Sequence, residues 1–434
     1  MRLRSFQLSK WGVTHPGMPV GRARMARRSP SRRRPRRVLL LHDYGGDRGG
    51  AEQIALDFRR LLRERGIDAR LMASDADPWD DTSAPDIVTK GGKGAFHTLR
   101  EAWNPGAGRR LARTLEDFRP DIVQIVMFLS QLSPAILSHL QNVPTVYAIN
   151  TYRAVCPTGL RWRPGAGICT RDTGTGCMAM GCVTPLGLLP RLAQLAVLRR
   201  GSSAIDKTVV PSNIMADVLK RHNWPVTDIV PHAVPPHQRR REMSASKTLA
   251  FAGRLVPEKG VDWLLEAFAR VAPGIPGATL QIIGDGPDRP RLEVIARNLG
   301  LVEQIEFTGH LAREESQKLL EMAWVQAVPS LWAEPFGLVA AEALARGTPV
   351  IASDAGGPAE IVDHGSTGWI VNTGCDVGLA EAILEALDSR ERNQTMGRRG
   401  AKVAAERYDE GVWIERYIEL YCEMLDDHAA PGAP

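Results

Sequence analysis

SLWAEPFGLVAAEALARGTPVIASDAGGPAEIVDHG, Ser330 to Gly365, decides how this chain folds. Just upstream, Val325, Ala327 and Val328 read as the end of a buried strand, which Pro329 and Ser330 break. Glu334 then falls on a loop, Pro335 and Phe336-Gly337 lead into a helix, and Glu342 lies on that helix. Gly347 and Pro349 stop the helix, and Val350-Ile351-Ala352 forms the next strand. Gly356-Gly357-Pro358 opens another helix with Glu360 in its first turn. A carboxylate beyond a strand's carboxyl end, followed by open amides at a helix start, is a ligand site of the doubly wound type.

Working outward, the same beat recurs. Arg37–His42, Pro120–Val126 and Pro144–Asn150 are short apolar runs typical of buried parallel strands. The loop DYGGDRGGAE, Asp43 to Glu52, follows the first of them and leads into a helix bearing Ile54, Phe58, Leu61 and Leu62 on one face. In the second half, strands at Thr248–Gly253, Leu280–Gly286 and Ile305–Gly309 alternate with helices at Val261–Val271, Glu314–Met322 and Gly378–Leu387. This alternation predicts an α/β chain of two Rossmann-like domains, 37–230 and 247–405, facing each other across a cleft. A Pro- and Arg-rich stretch, 231–246, reads as the linker between them. A closing helix within 406–426 carries Trp413, Tyr417, Leu420 and Tyr421 at helical spacing, a stripe made for packing.

Composition sets the bounds. With 434 residues, 44% hydrophobic and 24% charged, the chain has core material for two or three domains and no apolar run of about 20 residues to span a membrane. The net charge of +6 hides an asymmetry: residues 1–37 hold twelve Lys and Arg and no acid, so the remainder carries −6. Residues 1–36 therefore read as a basic disordered arm without the apolar segment of a secretory signal. A cytoplasmic location is expected, peripheral to the inner face of the membrane if the arm meets anionic lipid, and nucleic acid is not expected as a partner. Two segments stand apart. Pro185–Arg200 is apolar on several faces and reads as a core helix or as one lying on a membrane. The irregular loop 151–184 carries Cys156, Cys169, Cys177 and Cys182, spaced by thirteen, eight and five residues, either zinc ligands or thiols packing a loop.

Arg254 and Lys259 share one loop at the cleft rim; a planar fork and a mobile point charge together suit a diphosphate leaving group. Glu334 and Glu342 would repel phosphate, so they suit the hydroxyls of a sugar or ribose, leaving the Phe336, Gly337 and Leu338 amides for the anion. A glycosidase pair is the alternative use of two glutamates, but it leaves the basic residues idle.

The run EPFGLVAAE, Glu334 to Glu342, resembles the E-x7-E motif of the retaining GT-B glycosyltransferases of the family-four type (group 1). FAGRLVPEKGVDWLLEAF (Phe251 to Phe268), IIGDGP (Ile282 to Pro287), FTGHL (Phe307 to Leu311), VVPSNIMADVL (Val209 to Leu219) and GGAE (Gly49 to Glu52) resemble it in the same order. The likeness implies a GT-B fold whose final helix crosses back to the N-terminal domain. It implies that Arg254 and Lys259 bind the donor diphosphate, Glu342 the ribose and Glu334 the transferred sugar. Phe336, Gly337 and Leu338 would contribute amides, His310 and Leu311 would lie beside the base, and Gly50 would approach the donor from the other domain. No cofactor or metal is implied beyond an NDP-sugar substrate of UDP or GDP type. Where relatives read HDY-x-x-x-CP, this chain has Asn150-Thr151-Tyr152-Arg153-Ala154-Val155-Cys156-Pro157, so an amide replaces the imidazole near the reacting centre. Asn can donate a hydrogen bond but cannot carry a proton. The expected activity is hexose transfer from an NDP-sugar to a glycan or lipid-linked acceptor, in surface polysaccharide or glycolipid synthesis. A catalytically impaired sugar-nucleotide-binding subunit is the alternative.

Overall fold

The computed structural model describes residues 33–46, 49–81, 83–92, 97–237 and 242–429. Most of the basic arm, Asp47 and Arg48 of the glycine loop, and 238–241 of the linker lie outside the described residues.

The N-terminal domain is built on β1 (Arg37–Tyr44), β2 (Asp68–Ser74), β3 (Ile87–Thr89), β4 (Ile122–Ile125), β5 (Thr145–Ala148), β8 (Lys207–Val210) and β9 (Asp228–Ile229); β6 (Trp162–Arg163) and β7 (Gly167–Ile168) form a separate small hairpin. Its parallel sheet runs β3-β2-β1-β4-β5-β8-β9. The second domain, β10 (Lys247–Ala252), β11 (Ala278–Ile283), β12 (Ile305–Gly309), β13 (Val325–Val328), β14 (Val350–Ser353) and β15 (Gly368–Val371), runs β12-β11-β10-β13-β14-β15, also parallel. Strand order reverses between β1 and β4 in one sheet and between β10 and β13 in the other. Ligand crevices open at the carboxyl ends of such strand pairs.

Central strands are buried on both faces, which is why they read as unbroken apolar runs: Val38 to Leu41 and Val350 to Ala352 have no exposed surface. The last helix, Glu410–Ala429, packs on the N-terminal sheet rather than on the domain that precedes it. Trp413 and Tyr417 stack against Phe58 with ring centroids 4.3 and 4.7 Å apart, and the buried Tyr421 hydroxyl donates to Gln124 Oε1 at 2.9 Å.

Several elements differ from the sequence reading. Helix Arg390–Arg407 is rich in charge and buries Asn393, Met396, Gly397, Gly400 and Ala404, a face of mostly small residues that gives no strong apolar period. Between β4 and β5 the chain forms a short 3-10 helix, Pro134–His139, entered from Ser133 at φ 65°. Helix Pro185–Gly201, read as a core helix or as one lying on a membrane, buries one face only. Leu188, Leu195 and Leu198 are buried, whereas Leu186 and Leu189 are 89% and 72% exposed. Its polar anchor is Gln194, whose Nε2 donates to the carbonyls of Glu101 and Leu129 at 2.6 and 2.8 Å. Buried Glu101 adds ion pairs to Arg191 and Arg153 at 2.8 and 3.2 Å, tying this helix to the turn after β5. No helix among the described residues is long and apolar enough to cross a membrane.

Two consequences for stability follow. Trp413→Ala removes the largest apolar side chain from the returning helix's interface with Phe58, so urea denaturation should show a loss of about 3–5 kcal/mol; an unchanged midpoint would mean that the helix contributes nothing. Burial also lowers the imidazole of His232 to about 3 and that of His42 to about 4. Between those values and 6.5 the unfolded chain binds protons that the folded chain refuses. Stability should therefore be full above pH 6.5 and fall with pH below it, and His232→Gln should flatten that fall in pH-dependent denaturation.

Candidate active site

In the second domain the site is built where β10 and β13 end. The loop after β10 closes with the 3-10 turn Pro257–Lys259 and Gly260, which takes φ 66° and starts helix Val261–Val271. A Cβ on Gly260 would lie 2.1 Å from the Pro329 carbonyl oxygen, so only glycine lets this loop lie flat on the one after β13. Leu331 N donating to Glu258 O at 2.8 Å fastens the two loops.

That packing brings Lys259 onto Glu334. The ammonium pairs with Glu334 Oε1, and Ser330 Oγ donates to the same oxygen at 2.7 Å. Burial opposes charge on Glu334, but the attraction of Lys259 and these hydrogen bonds outweigh it and hold the carboxyl below the usual range. Behind Glu334 the loop after β14 presses close: Gly357 N donates to Glu334 O at 2.8 Å, and a Cβ on Gly356 would stand 2.3 Å from Glu334 N. Phe336 is buried edge-on between His232 and Tyr408, with centroids 5.3 and 5.6 Å away. Gly337, at φ 100°, then starts helix Leu338–Arg346 without a side-chain cap.

The N-terminal domain meets this helix start with one of its own. Helix Gly50–Glu64 follows N-cap Gly49, again without a side-chain cap. A Cβ on Gly50 would stand 2.8 Å from Leu338 Cδ1. Two helix N-termini from different domains thus converge; each carries partial positive charge, and the first-turn carboxylate of Glu52 lies beside Gly49 at the first of them. At the β1–β4 crevice, buried Asp43 accepts hydrogen bonds from the amides of Ser130, Gln131 and Leu132 at 2.8, 2.6 and 2.9 Å. This fixes the loop after β4 as the Lys259–Glu334 pair fixes the loops after β10 and β13.

The remaining candidates are placed as follows. Arg254 is exposed on its loop, and His310 is exposed after β12, two strands from the β10–β13 crevice, with Leu311 half-buried beside it. Glu342 is half-buried with Arg313 3.7 Å away, a partner the sequence reading did not identify. Asn150 spends its amide nitrogen on the carbonyls of Val126 and Ala148, both at 3.3 Å, which leaves its Oδ1 buried and without a partner. The group it offers is therefore an acceptor, where the sequence suggested a donor. Glu360 reaches across to the other domain: its carboxylate accepts from Asn213 N at 3.0 Å, Asn213 Nδ2 at 2.9 Å and Ile214 N at 2.6 Å. With Ser212 Oγ donating to Pro335 O at 2.6 Å, it ties the start of helix Asn213–Arg221 to the glutamate loop.

Comparison with known proteins gives this geometry a context. The family described as Glycosyltransferase Family 4 matches residues 48–238, and that described as Glycosyl transferases group 1 matches residues 237–403. An exopolysaccharide phosphotransferase of Streptomyces coelicolor is 34% identical over 206 residues, 46% of this chain. That match spans only 21% of the relative's length. A phosphatidyl-myo-inositol mannosyltransferase of Mycobacterium leprae is 26% identical over 408 residues, 89% of this chain and 96% of the relative. Among solved structures, the Anabaena protein HepE in complex with UDP and glucose superposes with a TM-score of 0.65 at 19% identity, covering 89% of this chain and 99% of that one. The chain belongs to the group 1, family-four-type glycosyltransferases and has their GT-B fold.

Proposed function

We propose that the chain is a retaining glycosyltransferase that moves a hexose from an NDP-sugar, of UDP or GDP type, to a glycan or lipid-linked acceptor in surface polysaccharide or glycolipid synthesis. The observation that best supports this is the convergence of two helix starts, at Gly50 and Leu338, in the cleft that the Lys259–Glu334 loops border. An anion site of backbone amides, a mobile ammonium and a hydroxyl-accepting carboxylate are what a sugar diphosphate requires.

In this reading the donor diphosphate draws Lys259 from Glu334. Lys259 and Arg254 then neutralise the negative charge that grows on the leaving phosphate as its bond to the sugar breaks. Phe336, Gly337 and Leu338 supply amides, and Gly50 approaches the donor from the opposite domain. Glu334, released from its ammonium, accepts hydrogen bonds from the sugar hydroxyls. Glu342 exchanges Arg313 for the ribose hydroxyls, and His310 and Leu311 border the base. Asn150 presents its free Oδ1 to a hydroxyl of the sugar or acceptor. Two names support the choice of donor and acceptor class: HepE, captured with UDP and glucose, and the phosphatidyl-myo-inositol mannosyltransferase.

A sugar-nucleotide-binding subunit without turnover is the second reading, favoured by Asn150, whose amide cannot carry a proton. For location we propose the cytoplasm with peripheral contact at the inner membrane face, since Leu186 and Leu189 stand exposed on a helix that ends in exposed Arg199 and Arg200.

A panel of UDP- and GDP-sugars should yield glycosyl product with one donor, and Lys259→Ala and Glu334→Gln should each lower kcat/KM by about 10²–10³-fold. Variants as active as the wild type would refute the site, and a donor-dependent thermal shift without product would establish the second reading. Replacing both Leu186 and Leu189 with Asp should weaken sedimentation with phosphatidylglycerol vesicles by about tenfold or more; equal sedimentation would remove the membrane contact.

A further inference from the structure

Cys156, Cys169, Cys177 and Cys182 of the loop 151–184 are free thiols, and among the described residues no three His, Cys, Asp or Glu are gathered to hold a metal ion. The loop bears on the cleft through another residue, Arg153, three places beyond Asn150 in the turn Tyr152–Ala154 after β5. Arg153 Nη1 pairs with Glu101 Oε1 at 3.2 Å, and Arg191 Nη2 pairs with Oε2 of the same carboxylate at 2.8 Å. Glu101 belongs to helix His97–Ala102, which packs against helix Pro185–Gly201, the one that carries Arg191. His97 Nδ1 stands 3.6 Å from Glu101 Oε2, and Gln131 Nε2 donates to His97 Nε2 at 3.0 Å. Gln131 lies in the loop after β4 that Asp43 fixes, so the cluster borders the β1–β4 crevice.

The charges in this cluster do not balance. One carboxylate faces two guanidinium groups, and among the described residues no second acid pairs with either. Arg153 gives Glu101 a single N–H, and among the described residues its Nε and Nη2 have no acceptor. The Arg153 and Arg191 side chains are 26% and 17% exposed against 3% for Glu101, so an anion arriving from solvent meets the guanidinium groups before the carboxylate. Glu101 therefore holds two long side chains in place ahead of any ligand and leaves one positive charge over. The same two helices carry unpartnered apolar surface. Leu186, Leu189 and Leu192 are exposed along Pro185–Gly201, and Trp103, two residues after Glu101, is 54% exposed. Arg191 falls in sequence between Leu189 and Leu192. A cationic site beside exposed leucines and a tryptophan complements a molecule that has both a phosphate and a hydrocarbon chain.

We propose that Arg153 and Arg191, held by Glu101, bind the phosphate of a lipid-linked acceptor whose hydrocarbon chain lies along Trp103, Leu189 and Leu192. This rests on the proposed function and narrows its acceptor from a glycan or a lipid to a lipid phosphate. Guanidinium forks match phosphate oxygens, and the N–H groups that Arg153 leaves unused are the ones available to them. A free glycan would use neither the surplus charge nor the apolar surface. With its phosphate held just beyond Asn150, the acceptor reaches the cleft from the N-terminal domain, while the donor is held by the second.

The test uses the full chain and a soluble probe, octyl phosphate, with inorganic phosphate and octanol as its two halves. In titration calorimetry the wild type should bind octyl phosphate saturably, about tenfold or more tighter than either half. Arg153→Gln and Arg191→Gln should each weaken that binding about tenfold or more. The double variant Arg199→Gln, Arg200→Gln, which removes exposed charge from the far end of the same helix, should keep it. On the wild type, where folding of a variant is not in question, octyl phosphate at about ten times its Kd should slow phenylglyoxal modification of Arg153 and Arg191 about tenfold, read by mass spectrometry, and leave Arg199 and Arg200 reactive. Equal binding of inorganic phosphate, equal loss in the Arg199, Arg200 variant, or no protection of Arg153 and Arg191 would each overturn the proposal. The thermal shift with NDP-sugars separates it from the reading on which it rests. A donor-dependent shift without octyl phosphate binding removes the acceptor site and leaves the proposed function standing; octyl phosphate binding at the two arginines without any donor-dependent shift does the reverse.

Discussion

A buried carboxylate needs a cation, and the pairing of Glu334 with Lys259 is the constraint from which the site is built. The two groups come from loops on either side of the strand reversal in the second sheet. They can meet only because Gly260 admits the Pro329 carbonyl and Gly356 admits the backbone of Glu334. Three strand-end loops are thereby locked together before any ligand arrives. Under the proposed function an anionic ligand draws the cation away, and the carboxylate left behind becomes available to hydroxyls. Attraction and release thus belong to one pair of side chains.

The same economy of contacts joins the domains. Glu360 satisfies the first amides of helix Asn213–Arg221, a task that Ser212 shares by accepting from Met215 N at 3.1 Å. Helix starts need such partners. Here one partner comes from the other domain, so completing the helix end and bringing the domains together are one event. The helix starts at Gly50 and Leu338 each follow a glycine, which has no side chain to cap them, and those are the two that face each other.

Much of this was legible. Buried parallel strands appear as apolar runs because both faces are covered, and the glycine and proline breaks after β10, β13 and β14 marked the loops that carry Lys259, Glu334 and Glu360. What escaped reading involved partners distant in sequence. Nothing near Glu342 points to Arg313, and nothing near Glu101 points to Arg153 and Arg191. Helix Arg390–Arg407 packs through the small residues Gly397, Gly400 and Ala404 in place of the large apolar stripe by which helices are recognised. The course of the loop 151–184 was hidden for another reason: it follows neither period and is set by turns such as the one at Arg161.

The returning helix has a consequence for how the protein comes into being. Tyr421 and Gln124 are bonded across 297 residues of chain, and Trp413 and Tyr417 cover Phe58, which sits in the first helix. A domain usually folds as its own stretch emerges from the ribosome. This N-terminal domain emerges first yet remains short of part of its core until the last helix is made. During synthesis the second domain can close on itself while the first waits, its apolar face uncovered, for helix Glu410–Ala429 to emerge. The order of the sequence and the order of completion are therefore reversed.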